Sequence, residues 1–147
     1  MRVNKYLKVA VYLYFFMLIY ITFFLGNRHV VNLFNNKISL EFLASKKYYI
    51  ENYDTLDFKE IKFIVLETFG NIVLFMPFTA ALSCVVQKRL SVFILIISLL
   101  LAILGVELLQ YQFHIGVFDI DDIVLNFTGG LIGLLLFNLF FRKYILK

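Results

Sequence analysis

Four stretches of nearly uninterrupted apolar residues, 6–25, 62–86, 90–113 and 120–141, run through the chain. None alternates apolar and polar positions as a half-buried strand does, so each predicts a helix. An apolar helix of about 18 or more residues crosses the roughly 30 Å hydrocarbon layer, and lipid tolerates only structures that satisfy their backbone polar groups internally. The pattern therefore predicts an all-α integral membrane protein, a four-transmembrane-helix bundle that forms a single domain over 1–147 with an outer loop at 26–61. Within that loop, Val30, Val31, Leu33 and Phe34, then Ile38, Leu40, Phe42 and Leu43, form two apolar groups expected to lie against the membrane surface. Asp57 followed by Glu60 has the spacing of a helix start, which extends the second span back to Asp57. Pro77 is expected to kink that span. Gly129 and Gly133, with Gly130 beside them, read as a small-residue strip for close helix packing.

The breaks in the apolar pattern are few and grouped. Glu67 and Asn71 lie four residues apart on one face of the second span. Glu107, Gln110, Tyr111 and His114 make a polar stripe at the end of the third, and Asp119, Asp122 and Asn126, with Asp121 between, do the same at the start of the fourth. A charge at the centre of a membrane helix costs roughly 2.5–3.5 kcal/mol, so such residues face a cavity, a partner or an ion. At 1.5 Å per residue the three groups fall at one depth, roughly 5 to 15 Å below the outer boundary. That coincidence survives reversal of the topology, because spans two, three and four place these ends on a common side.

Composition agrees with a membrane class. Of 147 residues, 62% are hydrophobic and 16% charged, with 18 Phe and 9 Tyr, too apolar for a soluble core of this size. The formal net charge of +4 comes from short basic clusters beside the spans, where they set topology and meet lipid headgroups, so nucleic acid is excluded as a partner. Arg2, Lys5, Lys8, Lys88, Arg89, Arg142, Lys143 and Lys147 fall in short segments on one side, while Arg28, Lys37, Lys46, Lys47, Lys59 and Lys62 are spread through the long loop; this density places both termini in the cytoplasm. The first span ends in Phe23, Phe24 and Leu25 rather than in a small-residue cleavage site, and is expected to be retained. Cys84, the single cysteine, lies in an apolar run and reads as a packing residue.

Each polar group has a structural reading. The aspartates would cap the fourth helix, and the Glu67–Asn71 and Glu107–Gln110 pairs would hydrogen-bond between helices. His114 at a span edge reads more readily as an interfacial residue than as a ligand. Taken together, the groups read as one ligand-binding site comprising Glu67, Asn71, Glu107, Gln110, Asp119, Asp122 and Asn126. Acids without an intramembrane Lys or Arg would attract a cation or amine and repel a bare phosphate. Mg²⁺ or Ca²⁺ on Glu107, Asp119 and Asp122 would turn the acidic pocket into a headgroup site. No polar residues continue into the inner halves of the spans, which argues against a channel.

Residues 67–78 (ETFGNIVLFMPF) and 106–130 (VELLQYQFHIGVFDIDDIVLNFTGG) resemble the two signature blocks of the VanZ-like family of bacterial membrane proteins. The second block is the more specific, matching at Glu107, Gln110, Gly116, Asp119, Ile120, Asp122, Asn126, Gly129 and Gly130; the first matches at Asn71, Leu74, Phe75, Pro77 and Phe78. Thr79 stands where relatives often have Gly, and Ser39-Leu-Glu-Phe-Leu43 stands without proline where relatives often carry Asn-Leu-x-Pro-Phe. The resemblance implies a multi-pass protein of the bacterial cytoplasmic membrane, similar to a member associated with low-level teicoplanin resistance. Its partners would be membrane lipids, with a lipid-linked cell-wall precursor or the lipoglycopeptide itself as further candidates.

Three functions compete. The first is a non-enzymatic protein whose outer-leaflet acidic site binds an envelope lipid, a cation or the drug. The second is a metal-dependent enzyme acting on lipids or cell-wall precursors, with Glu67 or His114 as general acid or base. The cluster holds no nucleophilic Ser, Cys or Lys, which weighs against an enzyme. The third is a scaffold in which the acids only tie helices together.

Overall fold

A computed structural model describes residues 5–25, 38–86 and 90–141. Four helices are long and apolar enough to cross a membrane, Lys5–Phe24, Phe58–Val86, Val92–Gln112 and Ile120–Phe140. They coincide with the four stretches expected from the sequence. Their outward surfaces are apolar, with Phe16, Tyr20 and Phe24 stacked along the outside of the first; a soluble domain would not expose such a surface.

The first span is α1 (Lys5–Tyr20), continued as a π-helix over Ile21–Leu25, where the Thr22 hydroxyl donates to the Leu18 carbonyl at 2.7 Å. The second comes in two pieces, α3 (Phe58–Phe75) and α4 (Phe78–Val86). Its start is a capping box: the Glu60 amide donates to Asp57 Oδ1 at 2.7 Å and the Asp57 amide to Glu60 Oε2 at 2.9 Å. Its break is Pro77, which has no N–H to donate and whose ring crowds the preceding turn. The third span is α5 (Val92–Gln112), capped by Ser91, and the fourth is α6 (Ile120–Leu136), capped by Asp119 and continued as a π-helix over Phe137–Phe141.

Leu18, Phe75, Phe78, Leu99 and Ile103 form the core at mid-bundle, and Val11, Ala81 and Cys84 seal α1 against α4. Cys84 is the buried packing residue expected of it. α3 and α6 make the most extensive helix contact, and glycine is the reason. A Cβ on Gly129 would collide with the Ile72 carbonyl, and one on Gly133 with the Met76 carbonyl, so the two backbones touch. Gly130 admits the Leu99 side chain from α5 in the same way.

The loop before the second span is tied to the bundle. Strand β1 (Ile38–Ser39) pairs in parallel with β2 (Phe118–Asp119), Ile38 opposite Phe118 and Ser39 opposite Asp119. Leu43 then turns at a φ of 62°, and α2 (Ala44–Glu51) and a 3₁₀ turn (Tyr53–Thr55) lead into Asp57. Side chains of Ile38, Leu40, Phe42 and Leu43 are exposed. The apolar group Val30, Val31, Leu33 and Phe34, and the basic residues Arg2, Arg28, Lys37, Lys88, Arg89, Arg142, Lys143 and Lys147, lie outside the described residues.

Candidate functional site

The acidic end of the bundle is assembled by the second half of α3, the last turns of α5 and the start of α6. Because α3 and α6 run in the same direction with backbones in contact, short side chains can reach between them. Asn71 Nδ2 donates to Asp122 Oδ1 at 2.7 Å. On α5, the carboxylate of Glu107 is only 2% exposed and Oε2 accepts the Asp119 amide at 3.4 Å. Gln110 Nε2 donates to the Thr22 carbonyl of α1 at 2.8 Å. Gly116 packs against the Gln110 side chain, leaving 3.4 Å to any Cβ added there.

Glu67, Asn71, Glu107, Gln110, Asp119, Asp122 and Asn126 all line one cavity of about 1140 Å³. The common depth read from the sequence is thus a common place. Glu67 accepts no hydrogen bond among the described residues, and Asn126, 4% exposed, has an Oδ1 without a partner.

Three neighbouring aspartates act in three ways. Asp119 caps α6, its Oδ1 accepting the Asp121 amide at 2.9 Å, while also lining the cavity. Asp122 bonds to Asn71 across the cavity wall. Asp121 does not line the cavity: its Oδ1 accepts the Leu43 amide at 2.8 Å and its Oδ2 lies 3.8 Å from Lys46 Nζ. It is the anchor that fastens the loop.

Lys46 changes the electrostatics expected from the sequence. Lys59 and Lys62 line the cavity at the start of α3, and α2 carries a further ammonium to the acids from the loop. Lys46 is 8% exposed and acts electrostatically on Glu67 and Asp122 as well as on Asp121. Tyr49, one turn further along α2, lines the cavity and stands 6.5 Å ring to ring from Phe63 of α3. Nothing local in the sequence distinguishes Lys46 from other loop lysines, since its role depends on how the loop folds back.

Among the described residues, no group of three or more His, Cys, Asp and Glu side chains is arranged to hold a metal ion. One carboxylate oxygen each of Glu107, Asp119 and Asp122 accepts a hydrogen bond, from the Asp119 amide, the Asp121 amide and the Asn71 side-chain amide respectively. His114, weighed as a general acid or base, is exposed on the turn after α5 at a φ of 57° and does not line the cavity.

The residues that shape this end, Glu107, Gln110, Gly116, Asp119, Asp122 and Asn126, form one block of sequence, followed at once by the packing glycines. A model of the VanZ/LLP1 family matches the chain over residues 11–141. The chain belongs to the VanZ/LLP1 family. No curated protein and no solved structure matches it. In this VanZ/LLP1 chain the two signature blocks are two walls of the same cavity, and Gly129 at the end of the second block lets it touch the backbone of Ile72 in the first. Thr79, which departs from the resemblance, is fully buried below the kink with its Oγ1 unpartnered, while Ser83 donates to its carbonyl at 2.9 Å.

Proposed function

We propose that this protein lowers susceptibility to lipoglycopeptide antibiotics such as teicoplanin by binding a cell-envelope ligand in the acidic cavity, without catalysing a reaction. VanZ-family membership supports the association with teicoplanin resistance. The cavity supports the binding mode: seven polar side chains from three spans share it, and Glu67 and Asn126 have hydrogen-bonding capacity that the fold does not use. Purely structural acids would be engaged in helix-to-helix bonds, as Asp122 is by Asn71. An enzyme acting on lipids or wall precursors would need a nucleophile or an activated water, and no Ser, Cys or Lys stands among the seven.

The proposed setting is the bacterial cytoplasmic membrane, with both termini in the cytoplasm and the cavity near the outer surface, where a lipid, a lipid-linked wall precursor or the drug is within reach. Expression in a sensitive Gram-positive host should raise the teicoplanin concentration needed to inhibit growth. Glu107→Gln and Asp122→Asn should return it to the level of the empty host. A wild-type protein that leaves susceptibility unchanged sinks the resistance reading. Mass spectrometry of envelope lipids from a deletion strain and its parent should show identical profiles; a species that changes chain length or headgroup would point to an enzyme instead.

A further inference from the structure

The cavity wall is not polar throughout. On α3 the lining passes from Glu67 and Asn71 to Leu66 and Val73, 61% and 59% exposed on the outside of the bundle, with exposed Gly70 between them. A cavity lined by both buried acids and outward-facing apolar residues opens sideways, at the level of the lipid chains. α1 packs more extensively on α4 than on α3, which it meets near Leu74, whose carbonyl accepts the Tyr14 hydroxyl at 3.0 Å; beyond that contact Ile21 and Thr22, at the π-helical end of α1, line the other side of the gap.

Gly70 differs from the packing glycines. A Cβ there meets nothing within 4 Å, whereas Gly129 and Gly133 each face a backbone carbonyl. Glycine inside a helix is less favourable than alanine by about 1 kcal/mol, and here no close helix approach accounts for it. Its physical effect is a low point in the wall, beside the entrance to the acids.

The polar end and the apolar exit specify opposite ends of one ligand. Glu67 and Asn126 offer acceptors, and an ammonium brings three N–H donors and no acceptor. A sulfate or phosphate would bring acceptors to carboxylates. Lys59 and Lys62 at the start of α3 are accompanied in the lining by Asp57 and Glu60, and Lys46, which acts on Glu67 and Asp122 from outside the lining, is ion-paired with Asp121, so Glu67, Glu107, Asp119 and Asp122 leave the cavity with an excess of acids. Building on the reading that the cavity holds an envelope ligand, we infer that this ligand is an amphiphile with a primary-ammonium head, held between Glu67 and Asn126, whose alkyl chain leaves the bundle sideways past Gly70 between α1 and α3.

The full chain, reconstituted in phosphatidylcholine nanodiscs, can be labelled with octadecylamine carrying a diazirine midway along its chain. Peptide mass spectrometry should place the label on residues of the gap, including Ile21 and Leu66. Unlabelled octadecylamine should compete; octadecyl sulfate and butylamine at the same concentration should not. Glu67→Gln should reduce specific labelling about tenfold, the effect expected on losing one charge-assisted hydrogen bond. Gly70→Leu should reduce it similarly by filling the exit, with Val73→Trp as a second obstruction and the unfolding midpoint confirming that each variant is folded. Equal competition by the sulfate overturns the ammonium head, equal competition by butylamine overturns the amphiphile, and undiminished labelling in both obstructed variants overturns the lateral exit. Wild-type protein that protects against teicoplanin but is not specifically labelled overturns this inference and leaves the proposed function standing. Specific labelling without protection upholds the inference and sinks the resistance reading.

Discussion

Asp119, Asp121 and Asp122 are neighbours in the chain yet face three surroundings, because successive residues at a helix start are rotated by about 100°. Asp119 caps, Asp121 holds the loop and Asp122 reaches α3. Each contact can be tested separately. A double-mutant cycle between Asn71→Ala and Asp122→Ala, read by unfolding in detergent, should give a coupling of about 0.5–1.5 kcal/mol, the range for hydrogen bonds between membrane helices. A coupling indistinguishable from zero would mean that the pair contributes nothing net. Asp121→Ala leaves the Leu43 amide and Lys46 without their carboxylate. Hydrogen exchange over residues 43–51 should then rise about tenfold, as expected for the loss of about 1.4 kcal/mol of local stability. Unchanged protection there would show that β1 alone secures the loop. The sequence marks all three aspartates as unusual, but the division of roles comes from what lies opposite each one.

Elements are placed by small residues as much as by large ones. Pro77 and the capping box at Asp57 are local features, and both act as their sequence context dictates. The glycine strip is also legible as a spacing, although its partner is not: only the fold shows that it is α3 whose carbonyls occupy the space. Gly133→Leu should therefore separate α3 from α6 and cost several kcal/mol, about the scale of severe overpacking, with aggregation or a large fall in the unfolding midpoint in detergent. Gly105→Ala is the control, since a Cβ at Gly105 meets nothing within 4 Å. It should be neutral or raise stability by up to about 1 kcal/mol. Equal behaviour of the two variants would refute the packing role of the strip. The link from β1 to β2 is beyond what sequence reveals, because a two-residue strand has no periodicity to detect.

Among the described residues, the bundle gathers its acidic side chains at one end and leaves a largely apolar surface along the spans. The orientation proposed from lysine and arginine density can be tested with single cysteines, because Cys84 is buried and Ser91 and Tyr53 are exposed at opposite ends of the second and third spans. In intact cells, a membrane-impermeant maleimide should label Tyr53→Cys and leave Ser91→Cys unlabelled; the reverse pattern inverts the topology. The number of spans, their extents and the shared depth of the acids follow from the sequence alone, because hydrophobic length and a fixed helical rise need no knowledge of neighbours. Tertiary structure decided what the acids face. Lys46 reaches them only because the loop folds back, Glu67 and Asn126 keep open acceptors only because the surrounding helices leave a cavity, and Gly70 borders an exit only because α1 packs mainly on α4 and meets α3 lower down, at Leu74. Each of these depends on residues far apart in the chain, and such distances are set by packing rather than by local pattern.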